Sequence, residues 1–241
     1  MFENRTYRNR HNKDGLVSFD VTVKETNLNI QADKEMRRQA IEAVLQCRNM
    51  LENYIRHHPG FTDALSPVPM DETAPAMIRE MLAAAESARV GPMAAVAGII
   101  AQQTGTRLLD GSNQVLVENG GDIFVKSDTP IVFTIYAGDS PFSMSCGIEI
   151  ERQEAPYGIC TSSGTLGHSK SYGKTDAAMV FSDSCALADT MATALGNRVA
   201  APEEIQPAID WGKTIAGVRG IVIILGENIG IWGPDLKLVR L

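Results

Sequence analysis

Aromatic side chains make up only 6% of this sequence, and no apolar run approaches the length of about 20 residues that a membrane-crossing helix needs. The first shortage argues against surfaces that bind nucleic acid by base stacking, and the second against a spanning segment. Basic residues are outnumbered as well: Lys+Arg 22 against Asp+Glu 29 gives a net charge of -7, which opposes binding to a phosphate backbone. Cys47, Cys146, Cys160 and Cys185 lie far apart without a CxxC pair, so neither a zinc framework nor a disulfide framework is suggested. Four reduced thiols fit a reducing compartment. No GxGxxG follows a strand, and no GxxxxGK[ST] or GxSxG occurs, so Rossmann, P-loop and α/β-hydrolase readings lose their main support. The first residues, MFENRTYRNRHNKDG, have no apolar signal core, and the expected location is the cytoplasm. Their basic cluster (Arg5, Arg8, Arg10, His11, Lys13) reads as a solvated arm.

What is present is an ordinary globular composition, 44% hydrophobic and 21% charged over 241 residues, enough for a full core. One domain over 1–241 is expected, with a Pro-rich break near 60–74 that would divide two lobes or hold a lid. Leu16 to Gln31 alternates apolar and polar residues, predicting a hairpin that turns at Glu25-Thr26-Asn27. Asp33 is the expected N-cap of an amphipathic helix ending before Pro59. Helices are predicted over Pro75 to Val90 and Met93 to Leu109, divided at Gly91-Pro92. From Asn113 the texture becomes β, with short apolar runs split by Gly, Asp and Pro. Ser182 or Asp183 is expected to cap a helix over Cys185 to Leu195, closed by a left-handed Gly196-Asn197. A short helix over Glu203 to Ala216, a hairpin around Gly226-Glu227-Asn228 and an edge strand at Leu236 to Leu241 are the last expected elements. Blocks of strands and helices, without strict alternation, predict an α+β fold.

Groups able to do chemistry concentrate in two places. On the Cys185 to Leu195 helix, Asp189 and Thr193 are four apart and share a face, a suitable oxygen pair for Mg²⁺, which takes its other ligands from water and phosphate. The alternative is a solvated carboxylate beside a threonine that bonds its own helix backbone. Glu118-Asn119-Gly120-Gly121-Asp122 ends a strand with two glycines that let backbone approach a ligand, or that simply make a hairpin turn. Thr161-Ser162-Ser163-Gly164 could form a nest of amides and hydroxyls around an anion, with Lys170 and Lys174 following. His168 stands alone on a loop as a candidate general acid/base or diphosphate contact. Cys160 is either a buried strand residue or, if exposed beside His168, a nucleophile or sulfur carrier. His57 and His58 read as charges that complement the dipole at a helix end.

The order Ala94-Ala95-Val96-Ala97-Gly98, Glu118 to Asp122, Thr161 to Gly164, then Ala188-Asp189-Thr190-Met191-Ala192-Thr193-Ala194, resembles the ApbE superfamily. The long segment CTSSGTLGHSKSYGKTDA is similar to that of its short cytosolic branch. The resemblance implies a T-fold-like α+β architecture with a mixed sheet and packed helices. It also implies a Mg²⁺-dependent site for FAD or FMN and transfer of FMN to protein threonines. Carried over by position, Asp189 and Thr193 would hold the metal, Asn119, Gly120, Gly121 and Asp122 would face the flavin nucleotide, and Thr161, Ser162, Ser163 and Gly164 would line the site; apart from that carry-over, His168 is expected to assist proton transfer. The expected partner is a nucleotide or other phosphate ligand, with no nucleic acid and no membrane; self-association stays open. The lipoprotein signal and the HxxxPxTG segment of the secreted transferases are absent, and Gly167-His168-Ser169 stands in the latter's place. The cytosolic branch further implies an alternative role as an accessory protein in sulfide assimilation and homocysteine formation.

Overall fold

The computed structural model describes residues 15–152, 154–163 and 173–241. The opening alternation forms β1 (Val17–Val23) and β2 (Thr26–Ala32). Val23 pairs with Thr26, so the reversal is made by Lys24-Glu25, one residue earlier than expected, with Lys24 at φ 52. The helix α1 (Arg37–His57) starts after Met36. Asp33 does not cap it: its Oδ2 accepts the Asn113 amide at 2.7 Å, and its own amide donates to Ser112 Oγ at 3.0 Å. A carboxylate expected at a helix head is thus spent on tying β2 to a distant loop. At the other end His57 Nδ1 lies 2.9 Å from the Asn53 carbonyl and His58 Nδ1 3.1 Å from that of Tyr54.

A short helix, α2 (Gly60–Asp63), interrupts the Pro-rich segment before α3 (Ala76–Ala88). The next expected helix begins as a 3₁₀ turn, Pro92–Ala95, and continues as α4 (Val96–Leu108). Strands β3 (Val115–Asn119) and β4 (Asp122–Lys126) then pair with Asn119 opposite Asp122. Gly120 and Gly121 make the two-residue turn at φ 70 and φ 105, the left-handed geometry of a tight hairpin that residues with a Cβ disfavour. Two strands follow, β5 (Ile131–Thr134) and β6 (Cys146–Ile150), then β7 (Tyr157–Ser162) and β8 (Ala177–Ser182).

Helix α5 (Cys185–Gly196) is capped by Ser184, whose Oγ accepts the Leu187 amide at 3.3 Å, rather than by Ser182 or Asp183. Its far end keeps right-handed backbone at Asn197 (φ -68), not the expected left-handed one. Successive turn bonds, Arg198 to the Leu195 carbonyl and Val199 to that of Gly196, continue the spiral there. Helix α6 (Ile205–Gly212), β9 (Val218–Leu225), β10 (Asn228–Trp232) and β11 (Leu236–Arg240) complete the described chain.

Eight strands form one antiparallel sheet in the order β1-β2-β3-β4-β7-β8-β9-β10, and three form a second in the order β11-β6-β5. Because successive strand side chains point to opposite faces, the central strands β3, β4, β7, β8 and β9 feed two cores. Val117, Phe124, Cys160, Val180 and Ile221 turn toward the helices. Leu116, Ile123, Ile159, Phe181 and Val222 turn toward the small sheet, where Phe133, Ile135 and Ile148 meet them. The result is an α+β stack of helices, large sheet and small sheet.

The helical layer is seated closely. A Cβ on Gly158 of β7 would lie 2.7 Å from both Cα and N of Cys185 at the start of α5. Gly158→Ala should therefore lose about 1–3 kcal/mol of stability in chemical denaturation, whereas Gly60→Ala, with nothing within 4 Å of the added carbon, should stay within about 0.5 kcal/mol of the parent.

Candidate active site

Helix α4 begins at Ala95, which has no side chain with which to cap it. The cap comes from α5: Asp189 Oδ2 accepts the Gly98 amide at 2.8 Å, and the Ala97 amide also bonds to this carboxylate. That reach requires the two helices to touch. A Cβ on Gly98 would stand 2.4 Å from the Cys185 carbonyl oxygen and 2.9 Å from Asp189 Cβ. From the sheet side, Asn119 Nδ2 donates to the Ala97 carbonyl at 3.0 Å, so the β3–β4 corner and Asp189 are fastened to consecutive residues of one helical turn.

Asp122 lies immediately beyond that corner. It is buried, 7% exposed, and among the described residues its Oδ1 has no hydrogen-bond partner. The nearby Cys160 thiol and Thr161 amide favour its ionised form, while the charges of Asp189 and Glu118 oppose ionisation. Glu118 is itself turned inward, with Oε1 accepting the Gly121 amide at 2.9 Å. Burial, and then the neighbouring Asp189, hold Asp122 well above the usual carboxylate range. Burial also raises Asp189, to about 7, against the pull of the Gly98 and Ala97 amides. Two carboxyl groups sharing one negative neighbourhood do not both ionise without a cation or a shared proton.

Of the residues singled out from sequence, Asn119, Gly120, Gly121, Asp122 and Asp189 come together around the head of α4. Thr193 follows Asp189 by one turn on α5 and is partly buried. Among the described residues its hydroxyl has no protein partner; it is Thr190 that bonds back to the helix, donating to the Ala186 carbonyl at 3.0 Å. Thr161 and Ser162 are not a loop nest. They are strand residues opposite Met179 and Ala178, because their backbone groups join the β7–β8 ladder, and Ser163 follows the strand's end. Gly164, His168 and Lys170 lie outside the described residues, as does the basic N-terminal cluster. Lys174 is exposed, its amide donating to the Val199 carbonyl.

Cys160 is fully buried, 0% exposed, with Sγ 3.4 Å from the Cys185 carbonyl, and burial beside Asp122 and Asp189 pushes its thiol well up. It is the buried strand cysteine of the two readings, without the exposure that a nucleophile or sulfur carrier needs. Sequence reasoning missed the amides of Ala97 and Gly98 and the inward Glu118. A helix starting at alanine, with no capping side chain of its own, was the available signal for the first.

A groove of about 380 Å³ lies elsewhere, between the end of α1 and the Pro-rich segment. Tyr54, His58, Phe61 and Asp71 line it, and the Tyr54 hydroxyl donates to Asp71 Oδ2 at 3.1 Å. None of the acids around α4 borders it. The carboxylate pair is the stronger candidate, because its chemistry is the one left unbalanced.

Among the described residues no three His, Cys, Asp or Glu side chains are grouped as a metal cage, and no helix is long and apolar enough to cross a membrane. A cation here would rest on few protein oxygens and on ligand or water for the rest, which suits Mg²⁺ better than zinc. The orphaned Asp122 oxygen and a Thr193 hydroxyl without a partner among the described residues fit that demand.

Without a divalent ion, the folded protein keeps a proton on Asp189 up to pH of about 7, whereas the unfolded chain releases it near 3.8. The folded state then binds more protons across that window, so this group's contribution to stability falls as pH rises from about 4 to about 7. Asp189→Asn should remove that fall: metal-free melts of parent and variant should diverge with rising pH, the variant gaining, and equal pH profiles would contradict the buried acid.

The family model described as AbpE bacteria matches residues 8–229. A UPF0280 protein of Methanocella arvoryzae is 40% identical over 219 residues, covering 90% of this chain and 89% of the relative. Another, from Methanosarcina acetivorans, is 40% identical over 221 residues, covering 90% and 87%. Among solved structures, the flavinyl transferase ApbE of Pseudomonas stutzeri superposes with TM-score 0.57 at 15% identity, covering 90% of this chain and 93% of that one. The ApbE protein of Thermotoga maritima gives TM-score 0.56 at 12% identity, covering 89% and 96%. These last likenesses establish the fold. With a family match across most of its length and relatives at 40% identity, the chain belongs to the AbpE bacteria family and shares the architecture of ApbE flavin transferases.

Proposed function

We propose that the acids at the head of α4 form the metal end of a flavin-nucleotide site, and that the protein is a Mg²⁺-dependent enzyme of the FMN-transferase type acting in the cytoplasm. One observation supports this reading: two buried carboxyl groups, both raised by burial, converge on a single helical turn, among residues for which the sequence resemblance implies metal and nucleotide. Mg²⁺, when bound, would neutralise the diphosphate of FAD and ease departure of AMP.

The chain's own groups have separable tasks in this scheme. The Gly98 and Ala97 amides orient Asp189 and fix one of its oxygens, while the Thr193 hydroxyl one turn on remains available as a second oxygen ligand. The Gly120-Gly121 corner, pinned through Asn119, presents backbone free of Cβ on the same side as Asp122. In the transfer step an acceptor hydroxyl oxygen would bond to the FMN phosphorus as the diphosphate P–O bond to AMP breaks. His168 is assigned the hydroxyl proton on sequence grounds. A sulfur-carrying alternative receives no support from the inert setting of Cys160.

Saturating FAD with Mg²⁺ should stabilise the protein, by about 2.7 kcal/mol at a hundredfold excess over Kd, and AMP should appear on incubation with a threonine-containing acceptor. Thr193→Val should retain the fold and lose most of the Mg²⁺-dependent part of both signals. Absence of any thermal shift with FAD would end the flavin reading, and AMP release indifferent to Mg²⁺ would end the metal part.

A further inference from the structure

We infer that Asp122 is itself a ligand of the divalent cation, contributing Oδ1, so that the site offers a hard metal two carboxylates and one hydroxyl. This rests on the metal reading above and extends it to a residue that the resemblance gave to the nucleotide. The first support is the orphaned atom. Asp122 is more than nine-tenths buried, yet its Oδ1 meets no donor among the described residues, a costly arrangement that a cation would relieve.

Placement supplies the second support. Asn119 and Asp122 face each other across the hairpin, and Asn119 is bonded to Ala97 while Asp189 is bonded to Gly98. The two acids are therefore carried by different elements to neighbouring points of one turn of α4. Charge supplies the third. Among the described residues the ionisable neighbours that act on Asp122 are Asp189, Glu118 and Cys160, and none of these is a cation. Two carboxylates offset the charge of Mg²⁺ or Mn²⁺ while leaving coordination positions for water or phosphate.

A protonated Asp122 donating to Asp189 would also satisfy the pair, and it makes an opposite prediction. Asparagine mimics a neutral acid but not an anionic ligand. Full-length protein freed of metal with EDTA would be titrated with Mn²⁺ alone, following bound ion by electron paramagnetic resonance and stability by thermal melting. Asp122→Asn should weaken Mn²⁺ binding on the order of 10-fold or more, with the metal-free variant melting no lower than the parent. Asp122→Ser provides a second carboxylate-free variant should the first fail to fold. Parent-like Mn²⁺ affinity in either folded variant, with Asp189→Asn weakened, would overturn the role of Asp122 and leave the metal site intact. If the parent itself binds no Mn²⁺, the metal reading and this inference fall together.

Discussion

Everything at this site depends on a helix that cannot cap itself. Helix α4 opens at alanine after a 3₁₀ turn, and its first amides are met by the Asp189 carboxylate from α5. A carboxylate drawn to a helix N-terminus gains from the amides and the aligned backbone dipole, but it also leaves water. The raised value near 7 says that burial outweighs the two amides. The helix is held, and the acid that holds it is kept in a state that a cation would stabilise further.

That crossing organises its surroundings. Gly98 and Gly158 allow α5 to lie against α4 on one side and β7 on the other, which brings Asp122, Cys160 and Cys185 into the same interior. Cys160 and Cys185 bond to backbone carbonyls and are raised by burial and by the adjacent acids, so the thiols act as packing. At the head of α5 a second polar set is balanced: Ser184 donates to Glu80, Gln102 donates to the same Glu80 oxygen, and the Cys185 amide donates to Gln102. The contrast with the orphaned Asp122 oxygen distinguishes a structural network from a site that expects a ligand.

Elements with strong periodicity were legible in the sequence, and single-residue roles were less so. The hairpins, α1, α3 and α5 follow from alternation, helical spacing and Pro or Gly punctuation. The misses are single capping positions: Asp33 is claimed by Asn113 some 80 residues away, Ser184 takes the cap in place of Ser182, and local turn bonds keep Asn197 right-handed. Thr161 and Ser162 looked like a polar loop because hydroxyls say little about strands, while the ladder to β8 depends only on backbone. The gathering of Asp122 and Asp189 was legible only through resemblance, since no local pattern links a hairpin corner to a helix more than 60 residues on.

Crystals grown with Mn²⁺ and a nucleoside diphosphate offer the most direct test of whether the buried acids make a cation site. An anomalous difference map should show one peak in contact with Asp189 and Thr193, with Asp122 Oδ1 turned to it and a phosphate oxygen completing the shell. A nucleotide seated in the Tyr54–Asp71 groove, with no Mn²⁺ beside Asp189, would contradict the account.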